Sequence, residues 1–490
     1  MLTLIALVIF AAWLTFAWRA PRTAFSFLPL ALPFYLVRLK IGPLPTTALE
    51  MVVLGMIVGW LLGVFRHEKR WKMENGKWKM VSAWKAFRSW AIPCGLWLLA
   101  GAISVIVAPD HVAALGLYRA YFVEPVLLFF VGIGLMREEN GKWKMEKDSK
   151  DSKEHFPFSI FHFPNALTTN LALVTIAFSI WAIFQYATGI GLPAPYAPWA
   201  IRRAVGPFSY PNALALFTAP VIALVFADLL VASSVVRRPS SETTQPRNHA
   251  TTHPPSWLGW ITVIAGLVTI ILAKSDGGLI AIVAAMFVAL ILNRRTRIAT
   301  IVIAVIGAIA IFAIPQVKTP VLNQLLFREW SGKVRVVMWK ESVTMLKNNL
   351  VFGVGLAGYP IAIKPYHKAT WMEIFQYPHN IALNLWSETG LLGVVAFGWM
   401  VWRWMALSQT SGAIAKEENG KWKMENGAKE HFPFSIFHFP SSMDVRISLP
   451  VITAILVHGI VDVPYFKNDL AIVFFLLILI TTSSRVDGRS

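Results

Sequence analysis

Two neighbouring stretches hold the side chains best suited to chemistry: SGKVRVVMWKESVTMLKNNLVFGVGLAGYP (Ser331–Pro360) and YPHNIALNLWSETGLLGVVAFGW (Tyr377–Trp399). In the first, Val336, Val337, Met338, Val343, Met345 and Leu346 recur at helical spacing, and Arg335, Trp339 and Ser342 follow one another at intervals of four and three. Those three therefore share one helix face. NNLVFGVGLAGYP then reads as a glycine-bearing helix stop and turn. His379 and Asn380 stand at the mouth of the next apolar run.

The chemistry these residues offer is anion binding and proton transfer. A guanidinium is a planar fork matched to phosphate oxygens, so Arg335 is either a phosphate ligand or part of a solvated face. His379 at a membrane–water boundary is either a general base or an interfacial residue. Arg202 and Arg203 bind phosphate or anchor at lipid headgroups. Arg119 and Glu124 fall within one apolar run, LYRAYFVEPVLLFF, where charges are costly and usually paired. A structural ion pair is the simpler reading there. His458 and Asp462 are spaced i, i+4, but two ligands do not make a metal site, and a helix-to-helix hydrogen bond is the simpler reading. Gly353 and Gly355 are too sparse for a nucleotide loop.

Such groups must be positioned by membrane helices. The chain has 490 residues, is 56% hydrophobic and has a mean hydropathy of +0.57. Apolar runs such as Leu2–Trp18 and Leu171–Leu192 recur from end to end. They are long enough to cross a bilayer as helices, and they lack the period-two alternation of barrel strands. The expected fold is all-α: a polytopic transmembrane helical bundle of about 12–13 spans with one long extracytoplasmic loop. The parts expected are 1–315 as N-terminal transmembrane helices, 316–380 as the extracytoplasmic loop and 381–490 as C-terminal transmembrane helices. The first apolar run lacks a basic leader and a small-residue cleavage site, so it reads as a span. The single cysteine, Cys94, excludes an intrachain disulfide framework.

The net charge of +19 is explained by loops rather than by nucleic acid. Basic clusters follow Phe65 and Met136, begin at Arg237 and Asn293, and return at Lys416. Placing them all in the cytoplasm turns the alternate loops outward: those around Asp110, Arg202–Asn212, Lys274–Gly278, Pro315–Asn380 and Tyr465–Asp469. The N-terminus is then outside and the C-terminus inside.

Three of the cytoplasmic loops share a peptide. EENGKWKMEKDSKDSKEHFPFSIFHFP (Glu138–Pro164) and EENGKWKMENGAKEHFPFSIFHFP (Glu417–Pro440) are near copies, and WKMENGKWKM (Trp71–Met80) is a partial one. Written in AT-rich codons, Trp71–Met80 has a reverse complement that translates as HFPFSIFHFP, the peptide at His155–Pro164 and His431–Pro440. This is the mark of an inverted-repeat DNA element inserted in frame. The segments at about 69–80, 138–164 and 417–440 are therefore expected to be tolerated insertions, because added length in a surface loop costs little closure entropy.

With these set aside, the order R-x3-W, G-V-G-L-x-x-Y and H-N-x-x-L-x-x-W-x-E-x-G-L-x-G resembles the signature region of the O-antigen ligase and polymerase family. RRAVGPFSYPNALALF (Arg202–Phe217), KSDGGLIAIVAA (Lys274–Ala285) and HGIVDVPYFKNDLAIVFFLLI (His458–Ile478) resemble further family segments in the same order. One departure stands out: many members carry an arginine where this chain has Asp276. The resemblance implies a multi-pass protein of the cytoplasmic (inner) membrane. It would move a glycan from undecaprenyl pyrophosphate onto an acceptor hydroxyl on the outer face, with membrane lipids around it and no nucleic-acid partner. Polymerisation of the lipid-linked glycan is the alternative within the class, and transport or flipping of it the alternative outside. The resemblance further implies Arg335 and His379 as catalytic residues, and Arg202, Arg203, Lys274, Trp339, Asn380 and Glu388 as substrate-binding ones. No cofactor and no metal are expected. The acceptor the resemblance implies is a glycan or a lipid.

Overall fold

The computed structural model describes residues 2–41, 44–66, 80–148, 163–235, 255–409 and 445–482, together with two short strands, Lys416–Glu418 and Lys421–Lys423. It is a polytopic helical bundle. Six helices among the described residues are long and apolar enough to cross a membrane: Leu2–Arg19, Arg88–Val107, His111–Met136, Pro164–Thr188, Pro211–Ser233 and Ile381–Leu407. Five shorter apolar helices pack among them, and Arg297–Ala313 with Pro315–Lys347 forms a pair bent by 101°. Taken together these are twelve apolar units, and the expected span number is reached only if the shorter helices and the bent pair are included. Helices prevail because hydrocarbon offers the backbone no other hydrogen-bond partner. The exceptions are the insertion strands and a hairpin, Arg38–Ile41 against Leu44–Thr47, antiparallel with Arg38 opposite Thr47.

The helix Pro211–Val235 is the central post. Nearly every residue of its apolar stretch is buried. It packs against Ser256–Leu272, Asp276–Leu292 and Val445–Gly459. Gly266 and Gly259 let Ile222 and Leu229 approach the neighbouring backbone, the small-residue packing typical of membrane helices. A second buried post, Asn468–Thr482, carries an aromatic cluster. Phe474 stacks on Phe397 at 5.2 Å, Tyr465 meets Trp97 edge-on at 5.3 Å, and the Trp97 indole N–H donates to the Tyr465 hydroxyl at 3.1 Å.

The charges within the span His111–Met136 are paired, as the sequence suggested. Arg119 lies 3.5 Å from Glu124. It also meets Glu50 at 2.5 Å, a third partner from a helix far off in the chain.

The loops that the charge rule assigns outward meet at one end of the bundle. Arg203 bonds the carbonyls of Ala273 and Lys274, Arg335 bonds that of Val461, and Gly355 lies against the backbone at Ala108. Two segments next to basic loops meet elsewhere, where Arg295 donates to the Ser233 carbonyl at 3.1 Å. Segment 316–380 opens with two helices, Pro315–Leu325 and Trp330–Lys347, followed by short turns. The insertions near 69–80, 138–164 and 417–440 lie largely outside the described residues; helix Glu124–Asp148 runs into the start of the second, and helix Phe163–Thr188 takes in its last residues.

Candidate functional site

The site forms where four chain segments converge on Asp462. The helix Val445–Gly459 ends three residues before it, so His458 and Asp462 do not share a helix face as their spacing suggested. The Asp462 amide still bonds the His458 carbonyl at 3.0 Å, but the carboxylate leaves the helix line. Its Oδ1 faces His379 Nδ1 at 3.3 Å, and its Oδ2 accepts from Asn212 Nδ2 at 3.0 Å. The carboxylate can only accept, so a proton sits on His379 Nδ1 and Nε2 is left as the nitrogen that can take one. Asp462 is fully buried. Burial alone would raise its carboxyl, but the hydrogen bond and charge of His379, the charge of His458 and the Val463 amide outweigh it. The group is held well below the usual carboxylate range.

His379 is held in a costly backbone conformation, φ +45°, in the left-handed region that β-carbon residues avoid. Its neighbours over-determine it. Trp339 donates its indole N–H to the Pro378 carbonyl at 3.0 Å. Asn380 caps the next helix by accepting from the Leu383 amide at 3.0 Å, and donates to the Ile460 carbonyl at 2.9 Å. The rings of Tyr377 and Phe375 flank the imidazole at 4.7 and 5.4 Å. Trp339 and Asn380 thus sit on either side of His379 in sequence and fix it.

Arg335 projects from Trp330–Lys347 toward the same turn. Its Nε donates to the Val461 carbonyl at 3.0 Å and its Nη1 to Ser331 Oγ at 3.2 Å. Nη2 has no hydrogen bond among the described residues, and the side chain is half-buried. Arg203 stands on the other side. Its Nε donates to the Ala273 carbonyl at 2.9 Å, and one terminal nitrogen is shared between the Lys274 carbonyl and Asn212 Oδ1, at 3.1 and 3.2 Å. Burial lowers its pKa, the fields of Tyr196 and Asp276 oppose that, and the charge of Arg335 adds to the lowering. The two guanidiniums are close enough to repel, an arrangement that a shared anion would relieve.

The other residues expected from the sequence are placed differently. Arg202 is spent on the carbonyls of Ala197 and Tyr186, both at 3.0 Å, and lies over the Trp199 ring. Lys274 has an exposed side chain, and its backbone, at φ +48°, supplies the carbonyl that holds Arg203. Glu388 is buried in the helix after His379, where it accepts from the Ala357 amide at 3.2 Å. It braces the glycine turn and does not reach the cluster.

From its spacing Asp462 reads only as a partner in a helix-to-helix hydrogen bond, and Asn212 and the tyrosines beside it carry no local signal. Tyr377 and Tyr210 share a hydroxyl–hydroxyl bond of 2.9 Å, and the ammonium of Lys467 lies 3.9 Å from the Tyr210 ring centre. Burial pushes Lys467 down to about 8, against the pull of Asp469 and Asp462. Among the described residues, no three His, Cys, Asp or Glu side chains are grouped to hold a metal ion.

The many-helix bundle thus carries, at one end, a polar cluster of two arginines, a histidine and a carboxylate. Residues 261–398 match the family model described as O-Antigen ligase, so this part of the chain is an O-antigen ligase family domain. The match bears out the resemblance drawn from the motifs, and it takes in Lys274, Arg335, Trp339, His379, Asn380 and Glu388. With the apolar helices around it, the match supports a multi-pass membrane protein of the O-antigen ligase and polymerase type. No curated protein matches the chain.

Proposed function

We propose that the protein transfers a glycan from undecaprenyl pyrophosphate to an acceptor hydroxyl at the outer face of the cytoplasmic membrane. The observation that carries this reading is the meeting of Arg335, Arg203 and His379 around Asp462, with two of the three inside the family match. Arg335 and Arg203 supply the cations for the donor's pyrophosphate; Arg203 takes the place of the arginine that many members carry where Asp276 stands. His379 Nε2 takes the proton of the acceptor hydroxyl as its oxygen attacks the anomeric carbon. The bond from that carbon to the pyrophosphate oxygen breaks, and the electron pair leaves with the lipid pyrophosphate. This leaving group needs charge stabilisation more than a strong acid.

The outward direction rests on the charge rule and on the meeting of the loops it assigns to one face. Reporter fusions within Lys318–Lys368 are expected to read outside, and those after Arg88, Asn248 and Gln409 cytoplasmic. A cytoplasmic reading of the long segment would remove the outer-face substrate.

The direct test is purified protein in nanodiscs with lipid-linked glycan and acceptor. Acceptor-dependent release of lipid pyrophosphate is the expected result. Growth of the glycan on its own lipid would favour polymerisation. Flipping in liposomes without transfer would overturn the enzyme reading.

A further inference from the structure

The donor and acceptor halves of the site are joined by a single side chain. Asn212, at the start of the central helix Pro211–Val235, accepts from Arg203 through Oδ1 at 3.2 Å and donates to Asp462 Oδ2 through Nδ2 at 3.0 Å. The amide can sit only this way round, since the reverse would set its NH2 against a guanidinium and its oxygen against a carboxylate. Asp462 in turn offers its other oxygen to His379 Nδ1. The path from phosphate cation to acceptor base is thus Arg203, Asn212, Asp462, His379, with a definite hydrogen-bond direction at every step.

We infer that Asn212 is a positioning residue that locks Asp462 in the rotamer facing His379, and so sets the tautomer with Nε2 free for the acceptor. This inference rests on the transfer reading above. Three features support it. Arg203 keeps two backbone carbonyls besides Asn212, so the donor side does not depend on the amide. The Asp462 carboxylate is wholly buried, and the Asn212 amide fixes its Oδ2, with the Tyr377 hydroxyl as a further neighbour of the carboxylate. Asn212 is half-buried at the rim of a helix that is buried along nearly all of its apolar length.

Asn212→Asp is the informative variant. It has the same shape, keeps an acceptor for Arg203 and places a carboxylate against Asp462. Asn212→Ala removes both bonds without adding charge and guards against misfolding of the first. Single-turnover transfer is expected to fall about 10-fold or more in each, part of the roughly 100- to 10,000-fold that a positioned base contributes. Donor affinity and the acceptor concentration for half-maximal rate are expected to stay within about 2-fold. In a His379→Ala background either substitution is expected to add nothing, because a residue acting through His379 has nothing left to act on. The 15N resonances of His379 are expected to show one tautomer in the parent and a mixture in the variants.

Full-rate transfer by both Asn212 variants would overturn the inference and leave the function standing. So would losses that add to that of His379→Ala, since these denote an independent structural role. Wild-type transfer by His379→Ala would instead remove the base reading itself, and the inference with it.

Discussion

His379 and Asp462 lie 83 residues apart in sequence, yet the imidazole Nδ1 stands 3.3 Å from the Asp462 Oδ1, and both side chains are withdrawn from bulk water. The pair joins the segment entering one membrane helix to the turn leaving another.

Asp462→Asn should therefore slow transfer strongly. The amide keeps the size but loses the charge that orients and stabilises the imidazolium, and about 100-fold is expected from loss of base function. Donor binding should change little. In the folded protein the Asp462 carboxyl is held below its ordinary value of 3.8. Its contribution to stability is thus fully present above that value and is lost as pH falls through the lower folded value. Acid unfolding monitored by tryptophan fluorescence should begin at higher pH in Asp462→Asn than in the parent. Identical acid transitions and identical rates would show that the pair is incidental.

The glycine turn makes a second prediction. Gly353 and Gly390 have φ of +68° and +64°. A β-carbon on Gly353 would meet the carbonyls of Trp386 and Ser387, and one on Gly390 the carbonyl of Val351. Gly390 also interrupts the helix Ile381–Gln409, letting the Leu391 amide bond the Val351 carbonyl at 2.9 Å. Alanine at either position is expected to destabilise by about 1–3 kcal/mol from strained backbone alone, read as a lowered melting temperature in detergent. Unchanged melting of both variants would contradict the packing of this turn on its helix.

How much of this was legible in the sequence follows from the reach of each signal. Apolar length gave the bundle, and loop charge grouped the segments around Arg203, Lys274 and Arg335 on one side. Arg335 and His379 were legible because residue type and local spacing announce them. Asp462 was misread because its spacing from His458 is helical, while the helix stops at Gly459. The roles of Asn212 and Tyr377 depend on contacts across 250 and 167 residues, which no local pattern encodes. Arg202 and Arg203 look equivalent as a dipeptide, and only the fold turns one to backbone carbonyls of its own loop and the other to the site. The Arg38–Thr47 hairpin left no signal, since its threonines and leucines fit a membrane-edge loop equally well.

A pH effect is expected in the outer segment, away from the site. His367 places Nδ1 3.0 Å from Glu341 and Nε2 3.1 Å from the Met372 carbonyl, so both ring nitrogens suit the protonated form. The Glu341 hydrogen bond raises its pKa above 6.5, burial opposes, and the Met372 carbonyl and the Glu341 charge add to the rise. A raised folded value means that the stabilisation is fully present below 6.5 and is lost as pH rises through the folded pKa. Hydrogen-exchange protection in 364–372, taken relative to the intrinsic rate at each pH, should fall over that interval in the parent. His367→Gln should abolish this fall, and a pH-dependent protection that persists in the variant would assign it elsewhere.

The repeated peptides should be dispensable. Deleting Glu138–Pro164 or Glu417–Pro440 is expected to leave membrane insertion and transfer largely intact, because both were read as additions to cytoplasmic loops remote from the site. Loss of transfer at normal expression would give the peptides a role. Sequencing the gene is the second check: arms unable to form a complementary hairpin in the DNA would end the inverted-repeat explanation.

Arg335 offers the most direct test of the site. One edge of its guanidinium is engaged by the Val461 carbonyl and Ser331, while Nη2 stays available beside the Asp462 turn. A lysine keeps the charge, but a single ammonium cannot hold the Val461 carbonyl and a phosphate oxygen in the same fixed plane. Arg335→Lys should therefore remain strongly impaired. Arg335→Ala should be worse, losing about 3 kcal/mol or more of transition-state stabilisation, the scale of one preorganised oxyanion donor. Donor binding should weaken in both, in contrast to the variants at His379 and Asp462, where it should hold. Transfer by the parent protein should survive chelators. The measurement is single-turnover transfer of lipid-linked glycan in nanodiscs, with donor binding measured separately. Near-wild-type transfer by both Arg335→Ala and His379→Ala, at equal expression, would detach the chemistry from this cluster and leave the family domain as a fold whose reacting groups lie elsewhere.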